Sequence, residues 1–300
     1  MNNNTILVTG AKGQLGRTFE NYWAASELAR DNEILLYDID RLDLTLKEKV
    51  GQELNRLSPH TILNAAAYTA VDQAETDQEA AYAINASAVA NLAEWAAPND
   101  CFLVHISTDF VFDGSKGTPY LPEDRVSPLS AYGTSKFAGE EALQSRLPGK
   151  HVIIRTSWLY SEYGNNFVKT MLRLMKQEDE LKVVADQIGS PTSTHSLVAL
   201  ILRMLSCGTV PGVYHWTDGA SISWCEFAQA IQREAIKQRL LKKEIPIRPL
   251  VTKEYPTLAA RPAYSVLDRS KALNEMGMQP TDWQQELRLV IKRIANETEK

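Results

Sequence analysis

Tyr132 and Lys136 stand four residues apart in the run Ser130-Ala131-Tyr132-Gly133-Thr134-Ser135-Lys136, and Ser107-Thr108-Asp109 lies upstream of them. On a helix, positions i and i+4 share one face. The Lys136 ammonium would then stand near the Tyr132 phenol and favour its ionised form, pulling a pKa normally near ~10 towards neutral. A phenol tuned in this way gives or takes a proton at a carbonyl or alcohol oxygen. Thr108 offers a hydroxyl to hydrogen-bond the same oxygen. A hydride source beside this group would complete an oxidoreductase.

The N-terminus carries a motif for such a source. Gly10-Ala11-Lys12-Gly13-Gln14-Leu15-Gly16 follows an apolar strand-like run and opens an amphipathic stretch. Glycines there permit a tight turn and let the backbone approach a pyrophosphate at a helix N-terminus. Asp38 closes the second strand-like run at the distance from Gly16 where an acidic residue reaches an adenosine ribose. Its charge disfavours a 2′-phosphate, while Lys12 and Arg41 offset it. The expected cofactor is therefore NADH or NADPH, with dual use and a slight lean to NADH. Asp43 and Leu44 are candidates to flank the adenine, although Asp43 reads equally well as a surface turn. Asn64-Ala65-Ala66-Ala67-Tyr68-Thr69 puts small residues at a strand end, where a cofactor can lie flat or a helix can pack closely.

These groups need a scaffold. Strand-like runs at Thr5–Thr9, 33–38, 61–65, 101–107 and His151–Thr156 alternate with helical stretches at 14–28, 46–57, 71–97 and 130–145. The third helical stretch has a break near Thr76-Asp77. Such alternation implies parallel βαβ units and a doubly wound, Rossmann-type α/β sheet. Thr108 and Asp109 then sit at a carboxyl strand end, where open α/β sheets bind ligands. The long loop from Asp113 to Pro128, rich in Gly and Pro, is expected to lie over a site. After Trp158 the pattern loosens. Helices are expected at 166–176, 196–205, 223–241 and 282–295, with a strand at 181–185. The predicted organisation is an NAD(P)-binding domain over 1–157 and a smaller C-terminal substrate-binding lobe over 158–300. Segments within 178–215 are expected to return to the first domain. Trp158, just after the fifth strand, either walls the substrate pocket or packs in a core.

Composition narrows the class. Net charge is −5, from 32 basic and 37 acidic residues, which argues against a general nucleic-acid binder. No apolar run approaches the ~18 residues of a membrane span. The start, Met1 to Val8, lacks a basic segment and runs straight into a strand pattern, so no signal peptide is read there. Three widely spaced cysteines, Cys101, Cys207 and Cys225, fit a reduced cytoplasmic chain. None of the five histidines has a partner at metal-ligand spacing, so structural roles and no metal site are expected.

Taken together, TGAKGQLG, NAAAYTAVDQAE, STDFVFDG and PLSAYGTSKFAGE resemble the extended short-chain dehydrogenase/reductase superfamily, as does the G-x-x-G-x-x-G spacing. More narrowly, RTSWLY, GNNFVKTMLRL, DQIGSPT and ARPAYS make the chain similar to the dTDP-4-dehydrorhamnose reductase family over nearly its whole length. The resemblance implies NAD(P)H-dependent reduction of the C4 ketone of dTDP-4-dehydro-L-rhamnose. Tyr132 would be the acid, Lys136 would hold the nicotinamide ribose, and Thr108 would sit at the reacting oxygen. Gly13, Gln14 and Leu15 would cradle the pyrophosphate. Asp43 and Leu44 would meet the adenine, and Ala67, Tyr68, Thr69 and Ile106 would border the cofactor. Thr108, Asp109 and Trp158 would touch the sugar, and Arg261 the diphosphate.

Sister dehydratases carry an Asp-Glu pair after the Thr, whereas Phe110 follows Asp109 here. Some family members dimerise through Mg²⁺ and carboxylates. Arg17-Thr18 and Ser193-Thr194-His195 offer no carboxylate for this, so a homodimer, if formed, is not expected to be metal-bridged. Two alternatives stay open. One is a regulatory subunit similar to the β subunit of methionine adenosyltransferase, and the other is a reductase of a different nucleotide-4-ketosugar.

Overall fold

A computed structural model describes residues 4–208 and 210–298. Part of the start read as free of a signal peptide, Met1-Asn2-Asn3, lies outside the described residues. In chain order the first half contains β1 (Asn4–Thr9), α1 (Gln14–Trp23), β2 (Asn32–Tyr37), α2 (Lys47–Leu57), β3 (Thr61–Asn64), α3 (Gln78–Tyr82), α4 (Ala88–Ala96), β4 (Phe102–Thr108), α5 (Ala131–Arg146) and β5 (His151–Thr156). A π-helical turn over Ala83–Ser87 joins α3 to α4. The second half adds β6 (Leu159–Tyr160), α6 (Phe167–Gln177), β7 (Leu181–Val184), β8 (Ile188–Gly189), β9 (Thr192–Ser193), α7 (Thr194–Cys207) and β10 (Gly212–His215). It ends with β11 (Ile222–Ser223), α8 (Trp224–Lys237), β12 (Ile247–Leu250), α9 (Ser270–Met276) and α10 (Trp283–Thr298).

Six strands form one sheet in the order β10-β5-β4-β3-β1-β2, and every neighbouring pair is parallel. A parallel sheet is covered on both faces, so its strands read as unbroken apolar runs. Ile6 and Val8 of β1 face a core shared with Leu15, Phe19 and Trp23 of α1 and with Leu197, Val198 and Ile201 of α7. Leu7, between them, faces the opposite core with Val50 and Leu54 of α2 and Val89 and Leu92 of α4. The chain steps from β1 outward to β2, then crosses to put β3 on the other side of β1. That reversal opens a crevice above the carboxyl ends of β1 and β3, the place where such sheets take ligands.

The smaller lobe has its own core. Met171 and Leu172 of α6, Phe227 and Ile231 of α8, and Val290 and Ile291 of α10 pack together beside the paired strands β7 and β12. The return to the main sheet is narrower than 178–215, because β7 pairs with β12 in the smaller lobe. It begins at α7, whose apolar face covers the sheet beside α1, and continues into β10, the edge strand beside β5. Sequence periodicity gave no sign of β10 or of a second return, in which α9 packs Ala272 and Met276 into the same core.

The loop from Asp113 to Pro128 departs from its expected position over the site. Tyr120 is buried and stacks on Phe112 with ring centroids 4.2 Å apart. Its backbone N–H donates to Val266 O (2.8 Å), and the carbonyl of Pro122 accepts from Arg155. These anchors hold the loop against the C-terminal segment, away from the cleft lining.

Candidate active site

Helix α1 opens towards the crevice. Its N-cap is Gly13, and no side chain caps the first turn. The N–H groups of that turn therefore remain available to an anion. Gly10, Gly13, Gln14 and Leu15 line the cleft. Gly16 does not; a Cβ there would lie 2.5 Å from the Ala11 Cα, so this glycine lets the helix press onto its own loop. At the far edge, Asp38 accepts from the backbone N–H of Lys12 (2.8 Å) and of Ile39 (2.9 Å). Lys12 Nζ pairs with Asp40 (2.8 Å), and the Arg41 guanidinium lies 4.4 Å over the Tyr37 ring. Both cations proposed to offset Asp38 are thus engaged elsewhere.

The cleft has a volume of about 870 Å³. Asp43 and Leu44 border it beyond Asp38, yet the Asp43 carboxylate also caps its own turn, accepting from Thr45 N (2.9 Å) and Oγ1 (2.7 Å). Those bonds hold the carboxyl below its usual range. Ala67 and Thr69 line the floor, while Tyr68 does not. The Tyr68 backbone is held from both sides by Asn85 in the π-helical turn, which accepts from Tyr68 N (2.9 Å) and donates to Tyr68 O (3.1 Å). Asn85 also donates to Ser135 Oγ (3.0 Å), linking that turn to α5. No local sequence pattern assigns Asn85 this role.

Helix α5 presents Tyr132 and Lys136. Ser130 caps it by accepting from Gly133 N (3.1 Å), and Glu75 accepts from Ala131 N (2.8 Å). Tyr132 and Lys136 face the cleft one turn apart, beside Ile106, Thr108 and Asp109 at the end of β4. The buried Lys136 Nζ donates to the Ile106 carbonyl (2.7 Å) and lies 3.5 Å from His105 Nε2. Beneath it runs a buried polar chain in which Thr9 donates to Asn64 (2.7 Å) and Asn64 Nδ2 lies 3.0 Å from His105 Nδ1.

The local charge argument for Tyr132 is overturned. Burial pushes the phenol up to about 12; the Thr108 hydroxyl pulls it down and Asp109 pushes it further up. Burial likewise lowers Lys136 to about 8, against the pull of Glu140. Desolvation is the leading cause for both side chains, and neither figures among the causes that shift the other.

Asp109 is a buried carboxyl that lines the cleft. Burial raises it to about 6, against bonds from Ser265 and Thr108. Thr108 Oγ1 donates to its Oδ1 (3.2 Å), and its Oδ2 meets no partner of good geometry. A buried oxygen left this way carries a cost of roughly 1–3 kcal/mol that a ligand hydroxyl can recover.

Across the cleft stand Trp158, Trp224 and Arg261, which also border a side cavity of about 420 Å³. Trp158 adopts a left-handed backbone, φ 47°, at a cost of roughly 1–3 kcal/mol for a bulky residue. Arg261 is gripped by Asp72, its Nη2 donating at 2.7 Å and its Nη1 at 3.1 Å. Neither Asp72 nor Trp224 was singled out from sequence, since no local pattern joins them to the site. At the positions considered for a metal bridge, Thr18 and Thr194 share a hydrogen bond of 2.7 Å between α1 and α7.

A glycine loop at a helix N-terminus, facing a Thr/Tyr/Lys group at the adjacent strand ends, defines an enzyme of the extended short-chain dehydrogenase/reductase class. The profile described as "RmlD substrate binding domain" matches residues 4–296. The chain belongs to the dTDP-4-dehydrorhamnose reductase family. It is 44% identical to a dTDP-4-dehydrorhamnose reductase of Aggregatibacter actinomycetemcomitans, over 94% of this chain and 97% of that one. A crystal structure of such a reductase from Clostridium acetobutylicum is similar at TM-score 0.89 and 39% identity, over 97% of this chain and 99% of that one. One from Bacillus anthracis, in complex with NADP, is similar at TM-score 0.89 and 38% identity, over the same shares of each chain.

Proposed function

We propose that this chain reduces the C4 ketone of dTDP-4-dehydro-L-rhamnose to the alcohol of dTDP-L-rhamnose, with Tyr132 as general acid. The observation that carries the reading is the meeting of Tyr132, Thr108 and the unpartnered Asp109 Oδ2 in a cleft that an uncapped helix N-terminus also enters. Bound NADH or NADPH supplies the hydride. Gly13, Gln14 and Leu15 take the pyrophosphate at the start of α1, Asp38 takes the adenosine ribose, and Asp43 and Leu44 border the adenine. Ala67, Thr69 and Ile106 give the nicotinamide end a flat floor, and Lys136 holds its ribose.

Thr108 Oγ and Tyr132 Oη bind the ketone oxygen together. Tyr132 then gives its proton to that oxygen as negative charge develops there. Burial keeps the phenol protonated throughout the neutral range, and the alkoxide charge that develops on the ketone oxygen, more basic than a phenolate, draws the proton across. Asp109 accepts a sugar hydroxyl, Trp158 forms the wall against the sugar ring, and Arg261, presented by Asp72, meets the diphosphate. The smaller lobe within 158–300 receives the nucleotide sugar, and 1–157 with the returning α7 and β10 hold the cofactor. Both cofactors are accepted, with a lean to NADH, because Asp38 repels a 2′-phosphate and Lys12 and Arg41 are engaged elsewhere. A cytoplasmic setting fits the three free thiols.

The test is direct. Purified protein is mixed with enzymatically made dTDP-4-dehydro-L-rhamnose and NADH or NADPH, and loss of nicotinamide absorbance is followed with the product identified by mass. Turnover to dTDP-L-rhamnose is expected with both cofactors, and no turnover with either one would overturn the proposal.

A further inference from the structure

Trp158 is clamped from two sides. Its indole stacks on that of Trp224, with centroids 3.5 Å apart and planes 12° from parallel. On its edge lies Gly189, where a Cβ would come within 2.6 Å of Trp158 Cε2, so only hydrogen fits. The two jaws share one ladder. Gly189 of β8 pairs with Ile222 of β11, two residues before Trp224.

Trp224 is itself firmly mounted. It is the first residue of α8, whose start is locked by a capping box: Ser223 N donates to Glu226 Oε2 (2.7 Å) and Glu226 N donates to Ser223 Oγ (3.1 Å). The Phe167 ring backs it at 4.6 Å. A left-handed backbone at a tryptophan persists only where its surroundings over-determine it. Here the stacking partner and the missing side chain at Gly189 do so.

From this we infer that Trp224 is a positioning residue for the ketosugar, acting through Trp158 to set the sugar ring against Thr108 and Tyr132. The inference rests on the proposed reductase reading. With the indole at 224 removed, the face of Trp158 loses its support and the strained backbone can relax, letting the wall swing away from the ketone. The cofactor side of the cleft, built on α1 and α5, is left as it was.

The test compares the parent chain with Trp224→Ala and Trp224→Phe. Four quantities are read: kcat and KM for dTDP-4-dehydro-L-rhamnose, the Kd of NADPH, and the exciton-coupled circular dichroism of two stacked indoles. W224A is expected to lose about 10- to 100-fold in ketosugar kcat/KM, as for a misplaced reactant, with NADPH Kd unchanged. W224F, which keeps a flat ring, is expected to regain most of the rate. Both variants should lose the couplet, because it needs two indoles. A ketosugar kcat/KM for W224A within about twofold of the parent would overturn the inference. An equal loss of NADPH affinity would also overturn it, because that marks a general structural defect. A parent that shows the couplet but no ketosugar turnover overturns the proposed function itself, and a parent without the couplet overturns the clamp.

Discussion

On the wall of the cleft made by β4, α5 and the π-helical turn, polar side chains are tied to one another and to backbone. Lys136 is bonded to Ile106, and Asn85 to Tyr68 and Ser135. Asn64 is bonded to Thr9 and lies against His105. The facing wall is made of stacked rings, Trp158 on Trp224 and Trp224 against Phe167, with one partly exposed ion pair, Arg261 to Asp72, at its rim. A hydrogen-bonded wall fixes individual atoms, which a proton transfer requires. An aromatic wall fixes a plane, which orients a sugar ring by shape. The proposed function puts chemistry and recognition on opposite sides of one cleft, and damage to each side should look different in kinetics.

The largest effect is expected on the hydrogen-bonded side. On the proposed mechanism Tyr132→Phe removes the proton donor and little else, so kcat should fall by about 10²- to 10⁴-fold. Cofactor affinity, measured by nicotinamide fluorescence, should stay near the parent's. Near-normal kcat in this variant would move the acid to another group and dissolve the contrast between the walls.

An intermediate effect is expected from pH. Lys136 is lowered to about 8 by burial, so its ammonium is lost well before that of an exposed lysine. The bound cofactor ribose favours the charged form, so NADH affinity should be constant below about pH 8 and fall several-fold as pH rises above it. Titration of NADH across this range checks the sign, and Lys136→Met should bind weakly with no such dependence. A flat profile in the parent would mean that Lys136 is not the group holding the ribose.

The smallest effect is expected at the rim of the aromatic wall. Asp72 is held below the usual carboxylate range by the Arg261 guanidinium. The contribution of the pair is thus present above the unfolded carboxyl's pKa and lost as pH falls through the lowered one. For a partly exposed pair, Asp72→Asn should change stability by no more than ~1 kcal/mol in a denaturant melt. Ketosugar KM should rise modestly in the same variant while NADH affinity holds. A loss confined to NADH would place Arg261 on the wrong side of the comparison.

The same division explains how much could be read from sequence. Tyr132, Lys136, Thr108 and the glycine loop announce themselves because short stretches of chain, one helix face or one strand end, bring them together. The strands β1 to β5 were legible for a similar reason, since each is a compact, mainly apolar run of one parallel sheet. Trp158 was proposed from its place after the fifth strand and Arg261 through family resemblance, but their partners Asp72, Gly189 and Trp224 were given no role, because only tertiary folding brings these segments together. The Tyr132 phenol was misjudged on the same account. Its neighbour in the helix is a local fact, whereas the burial that raises it depends on the whole fold. The edge strand β10 was missed because its four residues carry no period long enough to register.

That edge strand also bears on how the molecule is made. It follows α6 to β9 in the chain, while α8, β12 and α10 of the smaller lobe come after it, so neither lobe is contiguous in sequence. A nascent chain released as far as β5 has an open parallel edge and an apolar face that α7 will later cover. Such surfaces are the ones that invite wrong pairing and aggregation while a long-range contact is awaited. The cleft draws its lining from residues between Thr9 and Arg261, so its full set of side chains exists only when the chain is nearly complete.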